Sequence, residues 1–365
     1  MSLTQTAYTS RRLIKYGGIG MVAISILWSL SVLAYKAYLA AHPPYTPPTV
    51  KYGLLPRLVF PERDIASNKN FTFELPNDAV PEFSDQAKVY IIYNPNTTFL
   101  ALQEDIETAA AFGFTSEPLE TETGIYKFTD SKTNKTLVVN VTTGDFTITY
   151  PYTSDQLLLS PENMPSKSEV TSIATDFLMG GDKYTEDLEN GEKVVTYWKI
   201  EGDGLKLVSA QSQANAARVD FYREKLDGKS VFSNNFGQAS VSVLVSGSNV
   251  AAKKIIGVNF KDMRVNKASY STYPIKTGQE VIDSLNSGNY WIAKDVTAKD
   301  VIIRNIYLAY FEPINLTNYL QPIFVAEGDN NFVAYIPAVN SGYIKPEITP
   351  TPKVATESAT PIVTN

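Results

Sequence analysis

One uncharged run of twenty residues, 16–35, constrains this chain more than any other feature of its sequence. At about 1.5 Å of rise per residue, a helix of that length spans roughly 30 Å, the thickness of the hydrocarbon core of a bilayer. Tyr16 lies at one end of the run and Tyr35 and Tyr38 at the other, as is typical of the membrane–water interface. We therefore predict a single transmembrane anchor over residues 16–38, in contact with the lipid bilayer.

The charges beside this run predict its orientation. Residues 1–42 contain no acidic residue and four basic ones, Arg11, Arg12, Lys15 and Lys36. The first three precede the run, and basic residues next to a spanning helix stay on the cytoplasmic side, while a lysine at the other end can reach the interface. We expect residues 1–15 to be cytoplasmic and the C-terminal domain to be extracytoplasmic, at the cell membrane.

A cleaved signal peptide is the competing interpretation of the same run. Signal peptides have an apolar region of about 7–15 residues, followed by a small-x-small cleavage site. The run here is longer, and the small residues Ala40 and Ala41 lie beyond Lys36 without an A-x-A pattern. These features favour an uncleaved anchor.

Composition restricts what the outer domain can be. The chain has no cysteine, so its fold rests on a hydrophobic core without disulfides. Because an exported eukaryotic domain of this size more often carries disulfides, we infer a bacterial envelope. Residues 43–365 hold 28 basic and 38 acidic residues. Such a mildly acidic domain argues against nucleic acid as a partner.

Composition also separates a stalk and a tail from the folded part. Closely spaced prolines in residues 42–48 predict a semi-rigid stalk over residues 39–62. Its apolar end, residues 52–61, is expected either to pack along the folded domain, which we favour, or to contact another membrane protein. The Pro/Thr-rich residues 345–365 are predicted to be a disordered tail.

Residues 63–155 and 156–344 are expected to form two units, and the predicted fold class is α+β. Helices are predicted to begin near Thr98, Ser166 and Thr277, the last two with the capping-box pattern. Apolar or alternating runs predict strands at residues 88–93, 124–129, 136–141, 146–150, 193–200, 218–223, 239–245, 301–311, 319–325 and 332–336. We therefore expect one transmembrane helix, followed by a β-rich ectodomain of two antiparallel-sheet units, each with packed helices.

The sequence shows no motif for catalysis, a cofactor or a metal. His42 is the only histidine and lies where the chain leaves the membrane, far from any folded nucleophile. The acidic residues of 182–189 and 327–329 lack the order of a calcium loop, so we expect solvated turns there. We predict no catalytic, cofactor-binding or metal-binding residue, and no enzyme activity.

The aromatic residues predict a binding face instead. The chain has 22 tyrosines and 17 phenylalanines, and most are expected in the core because aromatic residues are common in strands. The densest group, Tyr307, Tyr310, Phe311 and Tyr319, is the candidate face for a carbohydrate or a peptide.

The order of these elements resembles a known family. An anchor and a β-rich unit are followed by a helix at residues 169–178, strands, and a helix at residues 280–285, and the chain closes with residues 319–322 (YLQP) and 332–338 (FVAYIPA). This order is similar to that of the membrane-anchored extracytoplasmic regulators of the YycH/YycI type, and the helix-then-strands units resemble PepSY-type modules. The order of elements is similar over residues 85–340, whereas sequence motifs are similar only over the last forty residues of this range. It implies an envelope sensor kinase as partner and supplies no catalytic residue.

Together these features predict a non-catalytic binding or regulatory module of the envelope that modulates a membrane or envelope protein. The alternative is an envelope glycan hydrolase that works through carboxylates. It requires a cleft with two acidic groups about 5–10 Å apart, at least one of them with a raised pKa. The binding module is expected to lack such a cleft and to present an exposed apolar or aromatic patch. A chaperone or protease-inhibiting module would share that patch.

Overall fold

The computed structural model describes residues 3–41, 45–62, 69–93, 100–159, 164–313 and 315–346. The predicted N-cap Thr98, His42 and residues 347–365 of the predicted tail lie outside these ranges. Contacts divide the chain into two units, Met1–Pro48 and Thr49–Asn365.

The first unit consists of one long helix, α1 (Leu3–Ala41). Within the described residues it is the one helix that is long and apolar enough to cross a membrane, over Ser10–Leu39. Its length and composition fit a membrane anchor and a signal sequence alike. The four flanking basic residues, Arg11, Arg12, Lys15 and Lys36, are exposed on its surface.

The second unit is built mainly from strands. In the described residues these are β1 (Asn70–Phe73), β2 (Gln86–Ile92), β3 (Leu119–Glu122), β4 (Ile125–Asp130), β5 (Lys135–Asn140), β6 (Asp145–Thr149), β7 (Lys193–Glu201), β8 (Gly204–Val208), β9 (Ala216–Phe221), β10 (Val231–Phe232), β11 (Val241–Ser246), β12 (Ile255–Phe260), β13 (Val265–Pro274), β14 (Trp291–Lys294), β15 (Asp300–Phe311), β16 (Tyr319–Gly328) and β17 (Phe332–Pro337). The helices are α2 (Ala101–Ala111), α3 (Gln156–Leu159), α4 (Lys167–Gly180), α5 (Glu186–Glu189) and α6 (Gly278–Asn286).

These strands form two sheets. One has nine strands in the order β3-β4-β5-β6-β12-β11-β9-β7-β8, with every neighbouring pair antiparallel. The other has eight strands with the path β1-β15-β16-β17-β14, to which β10 is added beside β15, and β2 pairs with both β13 and β16. In this sheet β1 and β10 run parallel to β15, and the other pairs are antiparallel. The predicted α+β class with two mainly antiparallel sheets is confirmed.

The sheets do not follow the chain order that the sequence suggested. Each takes strands from both sides of residue 155: β1 and β2 join the eight-stranded sheet with β13 and β15, whereas β6 pairs with β12 in the nine-stranded sheet. Strand pairing is decided by which apolar faces pack together, and residues far apart in sequence can supply them. Residues 63–155 and 156–344 therefore do not each build one sheet.

Each sheet carries a packed helix, as predicted. Helix α4 begins at the predicted capping box, in which the Ser166 N–H donates to Glu169 Oε2 at 2.8 Å and the Glu169 N–H to Ser166 Oγ at 3.4 Å. Its buried residues, Val170, Ala174 and Leu178, recur every four positions and pack on the nine-stranded sheet. Helix α6 begins at the second predicted capping box and packs on the eight-stranded sheet.

The apolar segment after the prolines packs along the folded unit. Leu55 is fully buried, and its N–H donates to the carbonyl of Tyr343 at 2.8 Å. Phe60 stacks on Trp291 with ring centres 5.2 Å apart. The favoured alternative for residues 52–61 is thus confirmed, and these residues of the expected stalk belong to the folded unit.

Candidate functional site

The predicted aromatic face is not a surface patch. Tyr310 and Phe311 are completely buried, and Tyr307 and Tyr319 are half-buried. Successive side chains of a strand point to opposite faces of the sheet, and both faces are covered at the C-terminal end of β15. Two of the four predicted binding residues are therefore core residues.

All four side chains already have partners within the fold. Tyr307 donates a hydrogen bond to Glu327 at 2.7 Å. The other three make ring contacts: Tyr310 with Tyr90, Phe311 with Phe60, and Tyr319 with Tyr52. This aromatic density serves packing between strands and loops.

A concave site lies elsewhere, where strand ends of the nine-stranded sheet meet the end of β15. It is a cleft of about 760 Å³, a size common for small-molecule sites. Its walls carry six carboxyl groups, those of Glu104, Asp105, Asp145, Asp220, Asp262 and Glu312. They also carry three cationic side chains, those of Lys183, Lys261 and Arg264.

A buried arginine supports one wall of this cleft. The Arg223 side chain follows β9, is 5% exposed, and lies 3.0 Å from Glu312, 3.2 Å from Asp262 and 3.4 Å from Asp187. Glu312 follows β15 of the other sheet and accepts a hydrogen bond from Ser240 Oγ at 2.6 Å. This group of charges therefore joins the two sheets beneath the cleft.

Burial changes the acidity of several groups in this wall. It raises the pKa of Glu312, and the nearby carboxylates of Asp262 and Asp145 add to that effect against the attraction of Arg223. Burial also raises the pKa of Asp145 and, despite Arg218, that of Asp220. For Arg223 burial alone would lower the pKa, but its three carboxylates outweigh burial and raise it. The arginine is therefore charged throughout the physiological range.

Asp105 differs from the other acids of the cleft. It is only 8% exposed, on the face of α2 that also buries Ala109, and it lines the cleft. Burial raises its pKa to about 6; Lys183 acts in the opposite direction and Glu104 in the same one. Among the described residues, none donates a hydrogen bond to its carboxyl group or forms an ion pair with it.

The sequence contained a signal for one of these residues. Leu102, Ile106 and Ala109 recur at helical spacing, and Asp105 lies among them on the same face of α2, where it interrupts an apolar stripe. Arg223 and Glu312 had no such signal, because their pairing depends on the meeting of two sheets. Asp187, expected in a solvated turn, is instead a partner of Arg223.

The cleft bears on the two functions weighed from the sequence. The hydrolase was expected to need a cleft with two acidic groups about 5–10 Å apart, at least one of them with a raised pKa, and the binding module was expected to lack such a cleft. The raised pKa values of carboxyl groups in the cleft meet one part of that expectation. Among the described residues, no three His, Cys, Asp or Glu side chains are arranged to hold a metal ion.

Comparison with known proteins gives distant structural neighbours. No family model and no curated protein matches the chain. One neighbour is an uncharacterized protein from Eubacterium rectale ATCC 33656, with 13% identity and a TM-score of 0.39 over 75% of this chain and 88% of that one. Another is the Bacillus megaterium YpeB C-terminal domain, with 16% identity and a TM-score of 0.32 over 68% of this chain and 95% of that one. At these TM-scores neither neighbour assigns a function, and the resemblance to YycH/YycI-type regulators stays an expectation.

Proposed function

We propose that this chain is a membrane-anchored, extracytoplasmic binding module of a bacterial envelope, and that its cleft receives a polar ligand. The observation that supports this proposal most is the cleft of about 760 Å³, which is lined by charged side chains of the nine-stranded sheet, of α2 and of segments that follow strands of both sheets. A ligand held between the sheets would bias their arrangement, and through it the state of a membrane partner.

The existing partners of the acidic groups favour binding over hydrolysis. Asp220 is engaged by Arg218 at 2.8 Å, and Asp262 and Glu312 are engaged by Arg223. A glycosidase needs one carboxylic acid that gives a proton and a second carboxylate that is free to act on the sugar. Groups already held in ion pairs are poorly suited to either task.

The apolar helix α1 supplies the other part of the proposal. Confinement to the bilayer raises the effective concentration of the domain near membrane proteins, so that a weak contact is sufficient for regulation. The basic residues Arg11, Arg12 and Lys15 support a cytoplasmic N-terminus and an external cleft.

Crosslinking from inside the cleft tests the proposal in native membranes. The photo-reactive residue p-benzoylphenylalanine is placed at position 238, since Gln238 is exposed and lines the cleft. The matched control carries it at position 279, where Gln279 is exposed on α6 away from the cleft. We expect a specific adduct from position 238 and none from position 279. Equal adducts from both positions, or only lipid and abundant porins, would contradict the binding function.

The hydrolase remains a second candidate because of one specific observation. Asp145 and Glu312 line the same cleft, and both carboxyl groups have a raised pKa. The two groups are close enough that the charge of Asp145 contributes to the raised pKa of Glu312. If they form a catalytic pair, the full chain releases reducing ends from purified peptidoglycan, and Asp145→Asn abolishes this release. The control Asp176→Asn, on the exposed side of α4, leaves the release unchanged. No release by the unaltered chain rules this candidate out.

A further inference from the structure

We infer that Asp105 is the ligand-binding carboxylate of the cleft and that the ligand presents an ammonium or guanidinium group to it. This deepens the proposed binding function, on which it rests, by naming the chemistry of the ligand.

The position of Asp105 is that of a preorganised binding group. It lies on α2, which is held to the nine-stranded sheet by the fully buried Ala109 and by Phe112, whose ring centre lies 5.3 Å from that of Phe146 on β6. Only 8% of the residue is exposed, yet it lines the cleft. A ligand in the cleft would therefore meet a carboxyl group whose place is set by the core.

Asp105 lacks the partners that the other buried acids of the cleft have. Asp220 accepts from Arg218 and from the N–H of Ala239 at 3.2 Å, and Glu312 has Arg223 and Ser240. For Asp105, no described residue donates a hydrogen bond, and no cation lies within the 4.0 Å of an ion pair. Among the described residues, the fully buried side-chain oxygens without a hydrogen-bond partner are the Tyr310 hydroxyl and Glu312 Oε1, so the Asp105 oxygens reach the open space of the cleft. A carboxylate that is desolvated on most sides and has no protein donor gains free energy from a charged donor brought by a ligand.

The surrounding charges favour a cation as that donor. Glu104 adjoins Asp105 on α2, and Lys183 faces it from the loop between α4 and α5, beyond ion-pair distance. The other charged groups of the cleft are Asp145, Asp220, Lys261, Asp262, Arg264 and Glu312. Acids thus outnumber bases on the walls. An ammonium group brings three hydrogen-bond donors and a guanidinium group five, and each also brings a positive charge to these acidic walls.

The pH dependence of binding has a definite sign. A cation binds the ionised carboxylate, and burial raises the pKa of Asp105 to about 6. Lowering the pH from about 7.5 to about 5 reduces the ionised fraction roughly tenfold, so the affinity should fall by about the same factor. A ligand that accepts a hydrogen bond from the protonated acid would show the opposite dependence.

The test uses the full chain in lipid nanodiscs and peptides that differ in one charge. The probes are acetyl-Gly-Lys-Gly-amide, the same peptide with an acetylated lysine ε-amine, and n-butylamine, each titrated by calorimetry at both pH values. We expect the lysine peptide to bind about tenfold or more tightly than its acetylated form and to weaken about tenfold at the lower pH. If butylamine binds as tightly as the lysine peptide, the natural ligand is a free amine. If butylamine binds more weakly, the natural ligand is a basic peptide.

Variants separate recognition from structure. Asp105→Asn should remove both the charge preference and the pH dependence, whereas Glu107→Gln, on the exposed side of the same helix, should change neither. Lys183→Met should strengthen binding several-fold because it removes a competing cation, an effect that a structural role of Asp105 does not predict.

Three results would overturn the inference: equal affinity for the charged and acetylated peptides, no binding of any cationic probe, or tighter binding at the lower pH. The crosslinking experiment tests the binding function independently. If the inference about Asp105 fails, an adduct specific to position 238 still shows that the cleft is occupied.

Discussion

Asp105 occupies a position at which α2 otherwise buries apolar surface, and this has a consequence for stability. Its pKa is about 6 in the folded chain and about 3.9 when unfolded. Because the folded state holds the proton more tightly, the associated stability is fully present below about pH 4 and is lost as the pH rises through about 6. A difference of two pKa units corresponds to at most about 3 kcal/mol.

Asp105→Asn should therefore stabilise the chain at neutral pH. We expect the free energy of unfolding to rise by about 1–3 kcal/mol near pH 7.5 and to change little near pH 4, because the amide resembles the protonated acid. Urea unfolding followed by tryptophan fluorescence measures this, with Glu107→Gln as the matched control. A variant that is less stable than the unaltered chain at pH 7.5 would show that Asp105 has a structural partner.

Arg223 stabilises the fold, whereas the ionised Asp105 destabilises it, because Arg223 holds together carboxylates that would otherwise repel one another. Arg223→Met leaves Asp262 and Glu312 buried without their cation and should cost about 3–5 kcal/mol in the free energy of unfolding. Arg304→Met is the control, because Arg304 pairs with Asp329 on the exposed surface and its loss should have little effect. Chemical denaturation compares the two variants. Equal effects would mean that the buried group does not join the sheets.

At the scale of elements, the helix starts were predictable because capping is local. Ser166 and Glu169, and likewise Thr277 and Glu280, satisfy each other's backbone donors within four residues. The strands are less uniform. The edge strand β3 is exposed along its whole length and shows no alternation, so nothing in its sequence marked it as a strand. By contrast, β15, β16 and β17 were each predicted as strands because their residues are mostly apolar, and they pair in that order as antiparallel neighbours.

Removal of the α4 cap gives a prediction for this element. Ser166→Ala deletes the side chain that accepts from the Glu169 N–H and should lower the free energy of unfolding by about 1 kcal/mol. Ser172→Ala, at an exposed position within the same helix, should have a much smaller effect or a slight opposite one. Thermal unfolding followed by circular dichroism compares them. A cost at position 172 equal to that at 166 would contradict a capping role.

At the scale of the whole molecule, the absence of cysteine allows a clean test of topology. Ser10→Cys and Ser172→Cys place single thiols before the apolar run and in the second unit. A membrane-impermeant maleimide should label the second variant in intact cells and the first only after the membrane is opened. The reverse pattern would contradict the proposed orientation. Loss of the Ser10→Cys thiol from the mature chain would identify a cleaved signal peptide.

The sequence by itself determined the long apolar helix, the α+β class, the capped helices and the last three strands. These depend on periodicity, composition and capping, which act between residues close in the chain. Only the tertiary structure decided that β2 pairs with β13 and β16, that Tyr310 and Phe311 are core residues, and that Arg223 meets Glu312 beneath a cleft. The physical reason is that burial and charge pairing depend on surfaces brought together from distant parts of the chain, and the pKa of Asp105 depends on that burial.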